Sequence, residues 1–157
     1  MANDCEDERT TLFDYLDHHR KTLVRKVAGL TDEQAKQTSV SISLFGLLGH
    51  LTMVERYWFT EVVAGLPAEY PWTDDDPDAD WRGPEGATLA DMVAAYEAEC
   101  ERSRAVMADV DLDTVIESGQ RAGMNVRNVV VHMVEETARH NGHADILREL
   151  VDGSTGV

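Results

Sequence analysis

The stretch VRNVVVHMVEETARHNGHADILREL, residues 126–150, limits the possible folds of this chain more than any other. Val126, Val129, Met133, Glu136, His140, His143, Leu147 and Leu150 follow one another at steps of three and four. That spacing lines side chains along one face of an α-helix. A helix of this kind owes its stability to what covers its apolar face, so it requires neighbours. The face is apolar at both ends and carries three ionisable groups, Glu136, His140 and His143, in the middle. Burying such groups unpaired costs on the order of several kcal/mol each. Whatever packs on this helix must therefore satisfy them as well as cover the valines and leucines.

Three further segments supply neighbours. Residues 7–30 place Leu12, Leu16, His19, Leu23, Val27 and Leu30 at helical spacing, and Thr31-Asp32-Glu33-Gln34 is a capping-box sequence for a short turn of helix. Residues 43–66 predict a second helix capped by Ser41 or Ser43, with Leu47, His50, Val54, Tyr57 and Glu61 on one stripe and Leu44, Leu48, Leu51 and Trp58 beside it. Glu55 and Arg56 fall off that stripe and are expected to be solvated. Residues 88–107 predict a third helix, capped by Thr88 and burying Leu89, Met92, Val93, Tyr96, Cys100, Ser103 and Met107. Between the second and third helices all four prolines gather with a run of aspartates, Asp74-Asp75-Asp76, Asp78 and Asp80. A connection this long is unusual in a compact domain and is often functional. Trp72 and Trp81 are expected to pin it down. The aspartates lack the loop spacing of a calcium-binding EF-hand.

No segment alternates with period two. The expected fold is all-α, a four-helix bundle in one domain spanning residues 1–157, with residues 1–7 and 152–157 as flexible tails. The length, 157 residues, suits a single core. The net charge of −16 repels phosphate backbones and anionic membranes, so neither nucleic acid nor a membrane is expected as a partner. The acidic start, MANDCEDERT, has no apolar stretch of the signal-peptide kind, and a cytoplasmic location is expected. Cys5 and Cys100 are too few for a disulfide framework and read as free thiols.

The polar break in the last helix meets its counterpart in the second, where His50 interrupts an apolar face. Glu136 and His140 are one turn apart and share a face. Two imidazoles and a carboxylate form a three-ligand set for a divalent metal, with a fourth position open. Zinc is the first expectation, and nickel, iron and manganese are compatible with the same donors. His143, one turn further, is a fourth ligand, a general base or a group that orients a ligand. His19, His132 and Asp145 are placed outside the ligand set. A metal-free, hydrogen-bonded Glu-His-His cluster would also satisfy the buried groups. No HExxH, GxSxG or phosphate-binding loop with its required context is present.

The segments SLFGLLGHLTMVERYWF, YPWTDDDPDADWR, TLADMVAAYEAECERSRAV and VVVHMVEETARHNGHADILREL resemble the DinB-like superfamily. More closely, they resemble its actinobacterial branch related to the metal-binding domain of mycothiol-dependent maleylpyruvate isomerase. The resemblance runs from Leu12 to Gly153. It implies up-down-down-up topology with a divalent metal between helices. His50 and His140 stand at ligand positions, and Glu136 in place of the usual histidine matches a His-Glu-His zinc set. His143 stands where many relatives have glutamine. The isomerase carries a further C-terminal domain, so maleylpyruvate isomerisation is not expected here.

Bundle-only relatives include S-transferases that use mycothiol or bacillithiol, and the resemblance implies the same chemistry. A mycothiol-type thiol would lose its proton at the metal and attack an electrophile. His50, Glu136 and His140 are then the metal ligands, and His143 takes the assisting catalytic place. A homodimer is expected from the resemblance and from the spare aromatics Trp72 and Trp81. The alternative is a non-catalytic bundle, metal-stabilised or dimerising, without enzymatic activity.

Overall fold

A computed structural model describes residues 7–39 and 41–156. Cys5 and Val40 lie outside the described residues. Five helices, α1 (Glu8–Val27), α2 (Asp32–Ala35), α3 (Leu44–Glu55), α4 (Leu89–Met107) and α5 (Val126–Asp152), account for most of the rest. No strand occurs among the described residues, only isolated bridges such as Val115 to Asn125.

Each helix begins where its sequence offers an oxygen to the free amides of the first turn. Asp7, Thr31, Ser43, Thr88 and Asn125 all accept from a backbone amide three residues on. Thr31 with Gln34 and Thr88 with Asp91 complete reciprocal capping boxes. The last helix stops at Gly153, which adopts a left-handed conformation, with φ of 76°.

Cross-helix pairings give the topology. Arg127 bonds Glu8 and Arg148 reaches the carbonyl of Lys26, so α1 and α5 run in the same direction. Gly49 lies beside Met92, and Arg56 bonds Glu99, so α3 and α4 also run in the same direction. His50 meets His140 while Trp58 meets His132, which makes α3 antiparallel to α5. The result is the up-down-down-up bundle, in which the long link 64–88 carries the chain back so that α3 and α4 run parallel.

Two apolar clusters fill the bundle. One joins Leu23, Leu44, Leu47, Leu48, Leu51, Met92, Tyr96 and Leu147. The other joins Leu16, Trp58, Phe59, Met107, Val126, Val129 and Met133. The polar groups at His50, Glu136 and His140 lie on the helices that both clusters share.

The second long helix differs from expectation in two ways. After Glu55 it continues as a π-helix, Arg56–Val63. The wider hydrogen-bonding pattern shifts the side-chain register, so Trp58 and Phe59 are both buried and Glu61, expected on the inner stripe, is exposed. Glu61 instead accepts from the hydroxyl of Tyr70. Glu55 and Arg56 are not solvated as their positions off the stripe suggested. Glu55 is 1% exposed and pairs with Arg20 of α1, and Arg56 pairs with the buried Glu99 of α4. A charge off the main apolar stripe faces another helix in a bundle, and only the fold reveals the partner. On α5 the inner stripe ends early. Leu147 is buried, but His143 and Leu150 are exposed.

Candidate metal centre

His50 comes from α3, and Glu136 and His140 from α5. The antiparallel crossing of the two helices brings them face to face. One donor atom from each lies within 4.8 Å of the others. Glu136 Oε1 is 3.1 Å from Nε2 of His140 and 3.8 Å from Nε2 of His50. Donors around one tetrahedral zinc stand about 3.3 Å apart when each bond is about 2.0–2.1 Å. The separations of 3.1 and 3.8 Å bracket that value, and the donor types suit a divalent cation. The three-residue group forms among the described residues with no help from His19, His132, His143 or Asp145.

Both imidazoles turn Nε2 toward the centre, because each has its Nδ1 engaged behind it. His50 Nδ1 is 2.9 Å from Oδ2 of Asp80, in the crossover between α3 and α4. A carboxylate oxygen accepts, so Nδ1 of His50 donates to it. Nδ1 of His140 stands 3.5 Å from Nδ1 of His143. His143 thus sits behind His140, away from the converging donors, with its ring exposed.

Burial holds the pKa of His140 below the ordinary histidine value, and a charge on His50 would lower it further, while Glu136 pulls the other way. Trp81 stacks on His50 with ring centroids 4.1 Å apart and planes 12° from parallel. It also approaches His140 at 5.8 Å. Trp81 forms an apolar wall that confines one side of the site. Trp58 and His132, one step along the same helix crossing, pack ring against ring at 4.5 Å.

The other sequence candidates lie elsewhere. His19 presents its backbone carbonyl to Asn141, 2.9 Å away. Asp145 pairs with Lys26. Cys100 is a buried free thiol whose pKa is pushed up to about 12, chiefly by burial and then by the charge of Glu55. Trp72, 38% exposed, stacks on Tyr70 and stays clear of the centre. A cavity of about 730 Å³ opens beneath the crossover, lined by Met53, Arg56, Tyr70, Arg82 and Met92 among others. Asp80 lines it, while His50, Glu136 and His140 do not.

Asp80 and Trp81 were not singled out as site residues from sequence, although Trp81 was expected to anchor its loop. One local signal was available. Gly46 and Gly49, three apart and just before His50, mark a helix face that another backbone can approach closely.

A family model described as mycothiol-S-transferase matches residues 11–153. This chain belongs to that family. The mycothiol-S-transferase match takes in every residue of the centre, from His50 through Asp80 to His143. Among solved structures, a conserved protein from Enterococcus faecalis shares the fold with a TM-score of 0.70. It is 17% identical over 96% of this chain and 100% of its own. That level of identity speaks for the fold alone. No curated protein matches the chain. Among the described residues no helix is long and apolar enough to cross a membrane.

Proposed function

We propose that the chain is a metal-dependent thiol S-transferase that joins a mycothiol-type thiol to a small electrophile. The observation that carries this reading is the convergence of His50, Glu136 and His140 from two helices within a mycothiol-S-transferase fold. These three residues are the proposed ligands of a divalent cation, zinc by preference of the donor set. Such a cation, when bound, supplies a Lewis-acid position that favours the deprotonated form of a thiol.

In the net reaction the thiol loses its S–H proton to solvent. Its sulfur electron pair forms a bond to the electrophilic carbon, and the leaving group departs with the pair it shared with that carbon. The protein's own residues orient and confine. Trp81 closes one side of the site and limits the access of water. His143 assists as a positioning residue, its Nδ1 standing 3.5 Å from Nδ1 of His140 on the side of the ring away from the centre. The reaction uses an external thiol, in keeping with the inert state of Cys100.

A cytoplasmic location, where low-molecular-weight thiols are kept reduced, belongs to the same reading. So does a homodimer, for which the exposed Trp72 and Leu66 offer apolar surface. Size-exclusion chromatography with light scattering would return twice the chain mass for a dimer and refute it by returning the single-chain mass.

The test of activity is turnover. Zinc-loaded protein, mycothiol and a fluorogenic alkylating agent should give product faster than the uncatalysed reaction, and His50→Ala should lose the difference. The second reading, a non-catalytic bundle clamped by metal, is favoured by the site's own geometry, since a cation there would tie α3 to α5. Zinc binding with no turnover across a panel of thiols and electrophiles would decide for it.

A further inference from the structure

We infer that the crossover between α3 and α4 is a working part of the metal centre, with Asp80 as the residue that sets the tautomer and orientation of His50. The inference rests on the proposed metal ligation by His50, Glu136 and His140. It goes beyond that ligation in assigning a role to a loop that supplies no ligand.

Asp80 is 7% exposed, a rare place for a carboxylate without a partner. Its Oδ2 accepts a hydrogen bond from Nδ1 of His50 at 2.9 Å. The next residue, Trp81, stacks flat on the same imidazole at 4.1 Å. One bond and one stacked face leave the ring of His50 a single orientation, with Nε2 aimed at Glu136. An imidazole whose remote N–H is held by a carboxylate is also a more basic ligand.

The segment reaches this position because α3 has no side chains where it lands. A Cβ at Gly49 would overlap the carbonyl oxygen of Asp80, and a Cβ at Gly46 would overlap that of Trp81. The short 3-10 turn Ala79–Trp81 therefore lies directly on the helix backbone, beside the residue it orients. The two glycines, the turn and His50 act as one unit. This explains why so long a connection is pinned at its middle, with Asp80 buried and Trp72 left exposed.

Two measurements test this on the full chain. Imidazole nitrogen NMR shifts of the metal-free protein should show His50 with its proton on Nδ1, and Asp80→Ala should move the ring toward the Nε2–H form. Zinc affinity, measured by competition with a chromophoric chelator, should fall about tenfold to a hundredfold in Asp80→Ala. Asp80→Asn keeps the shape and an accepting oxygen but not the charge, so it should fall between Asp80→Ala and the parent. Gly49→Ala alters no ligand, yet it should lower zinc affinity by pushing the turn away. Cobalt(II) spectra of the same variants should shift if the geometry of His50 changes. An Nδ1–H His50 in both parent and Asp80→Ala, together with zinc affinities equal to the parent's in Asp80→Ala and Asp80→Asn, would overturn the inference while leaving the ligand assignment standing. A parent chain that binds no divalent cation would overturn the ligand assignment and this inference with it.

Discussion

Arg20 of α1 and Glu55 of α3 form a two-pronged ion pair inside the bundle, with Nε to Oε1 and Nη2 to Oε2 both at 2.7 Å. Their side chains are 3% and 1% exposed. Such a pair pays a large desolvation cost that only its full geometry repays, so breaking it from one side is the damaging change. Arg20→Ala or Glu55→Ala alone should destabilise the fold by about 3–5 kcal/mol. An apolar double replacement, Arg20→Met with Glu55→Leu, should lose much less than the two single changes added together. Urea unfolding of the three variants checks this, and strictly additive losses would contradict it.

Cys100 should be unreactive in the folded protein. It is 3% exposed, and its pKa is pushed up to about 12. Only the thiolate is a nucleophile, so alkylation should await unfolding. Cys100→Ala should keep full thiol-transfer activity, since the proposed reaction draws its sulfur from a free thiol. Rapid labelling of the native protein by iodoacetamide at neutral pH, located at Cys100 by mass spectrometry, would show the buried thiol to be misplaced.

Asp17 should contribute to the acid limb of stability. Burial works against its charge, but hydrogen bonds from Arg104 and Arg20 outweigh it and hold the carboxyl below its ordinary value. A carboxyl with a lowered folded pKa stabilises fully above its unfolded value, about 3.9, and loses that contribution as pH falls through the lower folded value. Asp17→Asn should therefore cost stability at neutral pH and progressively less as the pH falls from about 3.9 toward 2. Melting temperatures across that range measure it, and a loss of equal size at both ends would tell against the assignment.

Removal of the metal should weaken the fold. A cation bound by α3 and α5 binds the native state and not the unfolded chain, so it stabilises by mass action. A chelator should lower the melting temperature of the metal-loaded protein, and excess zinc should restore it. His50→Ala should melt at one temperature whether or not chelator is present. A chelator-sensitive His50→Ala would place the cation elsewhere.

The four long helices were legible because each carries its own apolar period and its own cap. Ser43, Thr88 and Asn125 begin helices within one residue of the expected starts. Half of the site was legible for the same reason. Glu136 and His140 share a helical face by spacing alone, and His50 stood out as a polar break in an apolar stripe. Glu55 and Arg56 were misread because their partners, Arg20 and Glu99, are 35 and 43 residues away, and a helical stripe carries no information about which helix lies beside it. The π-helical segment hid Phe59 and turned Glu61 outward, since a change of helical pitch breaks the period on which the reading depends. Asp80 was one aspartate in a run of turn-forming residues. What sets it apart is the close approach over Gly46 and Gly49, and the spacing of those glycines was the trace left in the sequence.

Metal content tests the central claim most directly. Elemental analysis of the purified protein, after dialysis against metal-free buffer and with chain concentration from amino-acid analysis, should return one divalent cation per chain. The same analysis of His140→Ala, folded by circular dichroism, should return far less than one. Equal occupancy in the parent and in His140→Ala would contradict the assignment of His50, Glu136 and His140 as the metal centre.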